Sequence, residues 1–525
     1  MAPDGPPKRG RNAEHTARRT SSCAFADNVA CAAMRAYDAA RASLPDQDPE
    51  RGQTVLAAVV ARDARHDPPM LRVVSLAAGT KFLSGVDIAQ DETTGAKLRD
   101  CHAEVLARRG MKRFLYAQIT DARANERIKD ARRGRDEAET QEKHSTPWNV
   151  LVRSMTDTNT DTDTDTNGDT NTDPNTDKHV DAWHVCDSVS FHLYASSAPC
   201  GNACVKRWAK GGREIFCDTV CEMDVPPETH EHGTPLFGAV RDGQLAFLWK
   251  RDPDEAKTNE SNAGSLDKTP RRDTIVVPPG CSTVGKILTC SDKIAVWSCV
   301  GCQGALLLSP GLLHEPVYFE SVVVGRKFSK AVSRRAICCR VRKVFENNKR
   351  SNDRTKFKRT KHPAVLCTAV PFDMTTYAEG EGAVFDGGRA LVAWREKESE
   401  NEKSEHPSQR DELPDDAAFL SDNWQIELVD GRSGTCVTRI GGDQENRNNS
   451  VSGVARAALL AAHAQSLESL EKRNEKAKEE NPVVTYVAMK TAAGSVSGYA
   501  QAKRDALSQP GLWVLATPHR NATVR

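Results

Sequence analysis

The chain has no long apolar run. Its longest early one, Val55 to Ala61, is far short of the roughly 20 residues a membrane-spanning helix needs, so no membrane association is expected. The N-terminal stretch MAPDGPPKRGRNAEHTARRT lacks the apolar core of a secretory signal. An excess of charge is missing too. Lys and Arg number 73 and Asp and Glu 72, a formal net charge of +1, so no global field pulls the chain onto nucleic acid and any such attraction must come from local patches. Cysteine is not scarce: there are 16. With no export signal to accompany them, an intracellular location with reduced thiols is expected, in nucleus or cytoplasm. There a few cysteines suit a metal better than disulfides.

A length of 525 residues fits several domains or one large enzyme domain with insertions. Residues 1–22 read as disordered. Residues 23–525 read as one catalytic domain interrupted by polar inserts near 120–180, 222–272 and 397–416. FADNVACAAMRAYDAARASL is an Ala-rich helix with an apolar stripe, and TVLAAVVA and LRVVSLAAG are strands. The helix after His102 sets Leu106, Phe114 and Leu115 against Arg108, Arg109, Lys112 and Arg113. TDTNTDTDTDTNGDTNTDPNTDK lacks the closing glutamate of a calcium-binding loop and reads as a solvated insertion. SVSFHLYAS and VYFESVVVG are further strands, and residues 483–518 should hold a helix and a short strand. Strands alternating with helices predict an α/β fold with a helical C-terminal extension.

Three short stretches share a chemical theme. In DCHAEVLARRG, His102 and Glu104 stand two residues apart. A regular helix would point them in nearly opposite directions, so they are expected where a helix begins, both reaching into one pocket. In SAPCGNAC, Cys200 is expected at a strand-to-helix junction, where unpaired N–H groups stabilise a thiolate. In LTCSDK, Cys290 stands at another loop-to-helix junction. One imidazole and two thiolates suit Zn²⁺ and leave one vertex open for water. Glu104 as a fourth ligand would close that vertex; beside it, the carboxylate can move the water's proton. The compact form of this motif has its second cysteine three positions after the first. Here that position is Ala203, so Cys290 is the expected third ligand, with Cys204 the alternative. Cys101, Cys299 and Cys302 are expected to be structural.

The pattern resembles the zinc nucleobase deaminases. CHAEVLARRG, PCGNA, VVSLAAGTKFLSG and above all CSDKIAVWSCVGCQGALL followed by EPVYFESVVVG resemble the adenosine deaminases acting on RNA, most of all their tRNA-specific branch. The likeness runs from about residue 54 to residue 518. It implies a cytidine-deaminase-like three-layer α/β/α core with a mixed sheet. It implies hydrolytic deamination of adenosine to inosine with Zn²⁺, at position 37 beside the anticodon of alanine tRNA. His102, Cys200 and Cys290 are then the metal ligands, Glu104 shuttles protons, and Thr80 and Lys81 line the nucleotide pocket. Attack at C6 of adenine requires an unstacked base.

The family also implies buried inositol hexakisphosphate. The residues that would hold it are Arg108, Arg109, Lys293, Tyr486, Lys490, Tyr499, Lys503 and Trp513, of which the Tyr-x-x-x-Lys pairs have helical spacing; taken alone they are helix-surface residues. Lys293 would link this group to the metal through Asp292 and the backbone of Cys290. Val296, Leu515 and Ala516 stand where charged residues are usual, and Arg99 offers a compensating cation. About 50 residues precede the first core strand, too few for a duplex-RNA-binding domain, so RNA should meet the catalytic domain's own surface. The basic stretch Arg334 to Lys361 is the candidate for phosphate contacts, or a solvated loop. No obligate protein partner is expected. Two other readings stay open: an adenosine deaminase of other structured RNA, and a non-catalytic zinc-containing RNA-binding protein.

Overall fold

The computed structural model describes residues 22–44, 54–91, 95–133, 148–154, 182–201, 203, 236–241, 244–250, 275–276, 282–283, 288–328, 330–341, 357, 359, 361–372, 388–397, 423–441, 450–471 and 486–507. Helix α1 (Ser22–Ala42) is the Ala-rich segment. Ala26, Val29, Ala30, Ala33, Tyr37 and Ala40 recur on one side of it and are buried, which makes a core-facing stripe. β1 (Leu56–Asp63) and β2 (Met70–Ala78) pair antiparallel. β3 (Thr80–Phe82) pairs with β4 (Asp100–His102), with the short helix α2 (Gly85–Gln90) between them. Helix α3 (Ala103–Arg133) starts at the next residue.

β5 (Leu151–Ser154) and β6 (Ala182–Val185) form an antiparallel ribbon beside β7 (Val189–Ser197) in the chain. β8 (Leu236–Arg241), β9 (Gln244–Lys250), β10 (Ile275–Val276) and β11 (Ser282–Thr283) build a separate sheet in the order β10-β9-β8-β11. Then come α4 (Cys290–Val300), β12 (Phe319–Arg326), α5 (Lys330–Ile337) and β13 (Ala364–Cys367). The last strands are β14 (Arg389–Lys397), β15 (Asn423–Asp430) and β16 (Thr435–Ile440). Helices α6 (Arg456–Glu471), α7 (Tyr486–Val496) and α8 (Tyr499–Leu507) follow.

The main sheet runs β13-β12-β7-β1-β2-β14-β15-β16. β12 is parallel to β7 and β13, and the other neighbours are antiparallel, so the sheet is mixed. Strand periodicity divides β1 between two cores. Ala57, Val59 and Ala61 face α3 and α4, while Leu56, Ala58 and Val60 face α1. Each fully buried Leu or Val contributes roughly 1.5–3 kcal/mol, and both faces draw on it. The result is the expected three-layer α/β/α arrangement. α6 packs on α3, and α8 packs on α4 and α7, which is the helical extension.

The expected inserts are shorter than they read. α3 continues to Arg133 and β5 lies within the first insert, with its partner β6 just beyond it, so polar composition there did not prevent structure. β8 and β9 lie within the second, antiparallel to each other around Asp242 and Gly243, a turn pair that marks hairpins. In the third, Lys397 still belongs to β14. Ser22 opens α1, while residues 1–21, the Thr/Asp segment and residues 398–422 lie outside the described residues. Between 483 and 507 there are two helices, and the short strand expected near GLWVLATP falls outside the described residues. Among the described residues no helix is long and apolar enough to cross a membrane.

Candidate metal and catalytic centre

The centre forms where three strand ends meet two helix starts. His102 ends β4, directly opposite Thr80 in the ladder, and Glu104 is the second residue of α3. The spacing puzzle of the sequence is thereby resolved, because the two residues belong to different elements. Cys200 lies three residues beyond β7, and Cys290 opens α4. The Nδ1 or Nε2 of His102 and the sulfurs of Cys200 and Cys290 all lie within 4.8 Å of one another. Glu104 is buried close by, at 3 % exposure.

The local chain is built to hold these donors. Thr289 caps α4, accepting from the Asp292 N–H at 3.3 Å, while Asp292 accepts from the Thr289 N–H at 2.9 Å. The Cys290 N–H at that helix start donates to Cys200 Sγ at 3.3 Å, and the Ser291 N–H donates to the Cys200 carbonyl at 3.0 Å. So the N–H groups that stabilise Cys200 come from α4; the helix expected directly after Cys200, and Cys204, lie outside the described residues. Gly201 permits the approach: its φ is +93°, and a Cβ there would fall 2.1 Å from Thr289 Oγ1.

Burial and mutual contact shift the donors in different directions. Contact with Cys290 holds the Cys200 thiol below its ordinary range, aided by His102 and opposed by burial. The same contact, with burial, holds Cys290 above it. Burial alone would push His102 down, but Asp100, then Cys200, lift it to about 9. A metal at Nε2 would displace that proton. Burial pushes the Glu104 carboxyl up, which suits a group that must both take and give a proton.

Behind His102 stands a relay that the sequence had routed differently. His102 Nδ1 lies 2.6 Å from Asp100 Oδ1, and Lys293 Nζ donates to Asp100 Oδ2. Burial would raise the Asp100 carboxyl, but Lys293 and His102 keep it well below the usual carboxylate range. Lys293 therefore reaches the centre through Asp100 and His102, while Asp292 is spent on the α4 cap. Adjacent strand residues alternate in direction. Thr80 and Phe82 thus share a side with His102 and Asp100, and Phe82 lies 5.8 Å under the Lys293 ammonium. Lys81 falls on the opposite side of the ladder, buried beside Gly431, and is not brought to the donors. Cys101, Cys299 and Cys302 are buried. Burial pushes Cys302 up to about 12.

A second polar region lies deeper between α3 and the C-terminal helices. Arg108 stacks 4.7 Å over Trp297 and donates to the Cys302 carbonyl, and Arg109 donates to the Val454 carbonyl at 2.6 Å. Lys112, expected on the polar side of α3, is buried instead; burial and then the charges of Arg108, Arg109 and Lys490 push its ammonium well down. Although the Lys490 side chain is largely exposed, its ammonium is pulled to about 8 by burial, Arg108, Arg109 and Arg456. Burial, Lys490 and Arg108 bring Lys503 to about 8 as well. Tyr499 is buried in edge contact with Phe357, ring centres 5.9 Å apart. Tyr486 opens α7, and Trp513 lies outside the described residues. In the basic stretch, Arg359 turns into the core, donating to the Phe319 carbonyl at 2.9 Å, so it is no phosphate contact.

A family model described as the adenosine-deaminase (editase) domain matches residues 75–146 and 172–514. The chain belongs to that family. It is 28% identical over 333 residues to a double-stranded RNA-specific adenosine deaminase of Mus musculus, covering 63% of this chain and 22% of that protein. It is 24% identical over 385 residues to tRNA-specific adenosine deaminase 1 of Mus musculus, covering 59% and 68%. To tRNA-specific adenosine deaminase 1 of Homo sapiens it is 42% identical over 69 residues, 13% of each. The chain thus spans 22% of the length of the double-stranded-RNA relative.

Proposed function

We propose that this protein is a zinc-dependent hydrolase that deaminates adenosine to inosine in tRNA, at position 37 beside the anticodon of alanine tRNA. The observation that carries the reading is the convergence of His102, Cys200 and Cys290 around one point, with the buried Glu104 beside them. One nitrogen and two sulfurs fit Zn²⁺ with a vertex to spare. A zinc ion held there supplies a nucleophilic water near neutral pH. Glu104 would take one proton of the water attacking C6 and pass it to N1, then take the second from the resulting C6 hydroxyl and give it to the amino group, which leaves as ammonia. Its burial-raised carboxyl can hold a proton between these transfers. Asp100 fixes the His102 ring through Nδ1 and leaves Nε2 for the ion. Thr80 lines the nucleotide side.

Arg108, Arg109, Lys112, Lys490 and Lys503 would hold inositol hexakisphosphate. Cations crowded until their own ammonium groups are depressed need an anion to stay charged. RNA phosphates would meet Arg334 and Arg335 on α5. An RNA substrate places the protein in nucleus or cytoplasm.

The alignment favouring tRNA is the one covering 68% of its mouse partner. The higher identity to the double-stranded-RNA enzyme, 28% against 24%, supports a second reading, editing of other structured RNA. Purified protein offered an alanine tRNA transcript, a long RNA duplex and free adenosine separates these. Inosine at position 37 is expected. Glu104→Gln should lower its formation about 10²–10⁴-fold with zinc content unchanged. Inosine in the duplex alone would move the assignment to the second reading. No inosine anywhere from zinc-loaded protein would leave a non-catalytic RNA-binding role.

A further inference from the structure

Outside the centre, two adjacent cysteines and a histidine form another cluster of donors. α5 ends at Ile337, and a 3₁₀ turn spans Cys339–Val341. Consecutive residues of a regular helix point about 100° apart, but this change of helix type brings Cys338 Sγ and Cys339 Sγ to 3.7 Å. His362, 23 positions after Cys339, leads into β13 and sets Nδ1 4.0 Å from Cys339 Sγ. All three donor atoms lie within 4.8 Å of one another.

We propose that Cys338, Cys339 and His362 form a second metal site, structural in role, for Zn²⁺. Tetrahedral zinc with its usual bond lengths puts two sulfurs about 3.8 Å apart and a sulfur and nitrogen about 3.6 Å apart. The observed 3.7 and 4.0 Å match those edges to within a few tenths of an ångström. Neither cysteine is in a disulfide, and a sulfur separation of 3.7 Å is far from a bond. Cys338 is buried and the other two are half-buried, so the ion would be shielded on one side. Among the described residues the cluster's own donors are two sulfurs and one imidazole, with no carboxylate among them.

The site's place in the fold gives it a purpose. β13 is the edge strand of the main sheet, with four residue pairs to β12 among the described residues. α5 carries Arg334 and Arg335. An ion shared by the end of α5 and the start of β13 would pin the basic helix to the sheet edge and fix the direction its arginines face.

Zinc per chain in the full-length protein, measured by elemental mass spectrometry, tests this. Wild type should carry about two equivalents and His102→Gln about one. Cys339→Ser and His362→Asn, both at half-buried positions, should each carry about one and keep the one bound at the centre. Alkylation of Cys338 and Cys339 should slow at least about tenfold when Zn²⁺ alone is added to metal-stripped protein. One equivalent in wild type with none in His102→Gln, or alkylation indifferent to Zn²⁺, would overturn the proposal.

Discussion

Asparagine in place of Asp100 probes the relay behind His102 with little change of shape. The two oxygens of Asp100 are divided between two partners: Oδ1 meets His102 Nδ1 at 2.6 Å, and Oδ2 accepts from Lys293. The amide of Asp100→Asn would keep one acceptor for the imidazole and lose the charge. The ring then becomes a weaker base towards the metal, and the Lys293 ammonium is left facing a cation site with no counter-charge. Both side chains of the Asp100–His102 pair are only 11% exposed, so solvent does little to screen the loss. Orienting groups behind a metal-bound histidine are worth about 10–100-fold in metal affinity, or about 1.4–2.7 kcal/mol. Zinc competition against a chromogenic chelator should show that weakening, with inosine formation falling in step when zinc is limiting. Adding Lys293→Met to Asp100→Asn should recover part of the loss, because it removes the orphaned cation. Zinc affinity within about twofold of wild type, or a double variant worse than the single, would refute the relay.

Lys112→Met tests the buried cations by the sign of its effect. With inositol hexakisphosphate bound it should cost about 3–5 kcal/mol in denaturant unfolding; in anion-free protein it should stabilise by about 1–4 kcal/mol. The same sign in both states would count against a bound polyanion. The pH dependence follows from Lys490 and Lys503, each lowered from 10.5 to about 8. Above pH 8 the folded, anion-free chain binds fewer protons than the unfolded one, so its stability should rise with pH through that window. A bound polyanion raises both lysines again. Its affinity should therefore fall as pH climbs past 8, with proton uptake visible by calorimetry in buffers of different ionisation heat. Gly201→Ala should cost about 1–3 kcal/mol of stability and weaken zinc binding, since its Cβ would strike the Thr289 cap 2.1 Å away; unchanged zinc affinity would show that the Cys200 loop adapts.

The sequence carried much of the layered core, because strand and helix periods are local. β1, β2, β7 and β12 could be read from their apolar runs, and α1 from its stripe. It missed β8 and β9, whose alternation around Asp242-Gly243 was hidden by polar surroundings. Lys112 looked like a solvated helix residue because its neighbours Arg108 and Arg109 did; in the fold it is buried, its ammonium facing the charges of those arginines and Lys490. Cys338 and Cys339 stood in a basic stretch, and nothing local joined them to His362.

Residue identity by itself determined which chemistry is on offer: one imidazole, two thiolates and a carboxylate are a soft donor set with a proton carrier wherever they meet. It also carried the family resemblance, since HAE, PCG and CSDK stand as short contiguous words, and the family model matches residues 75–146 and 172–514. Only the tertiary structure decided that His102, Cys200 and Cys290 converge, that Lys293 reaches His102 through Asp100, and that Lys81 turns away. Those outcomes depend on side-chain direction and on contacts between elements far apart in the chain, Asp100 and Lys293 being 193 positions apart. Sheet register and helix starts set both, and no local pattern encodes them.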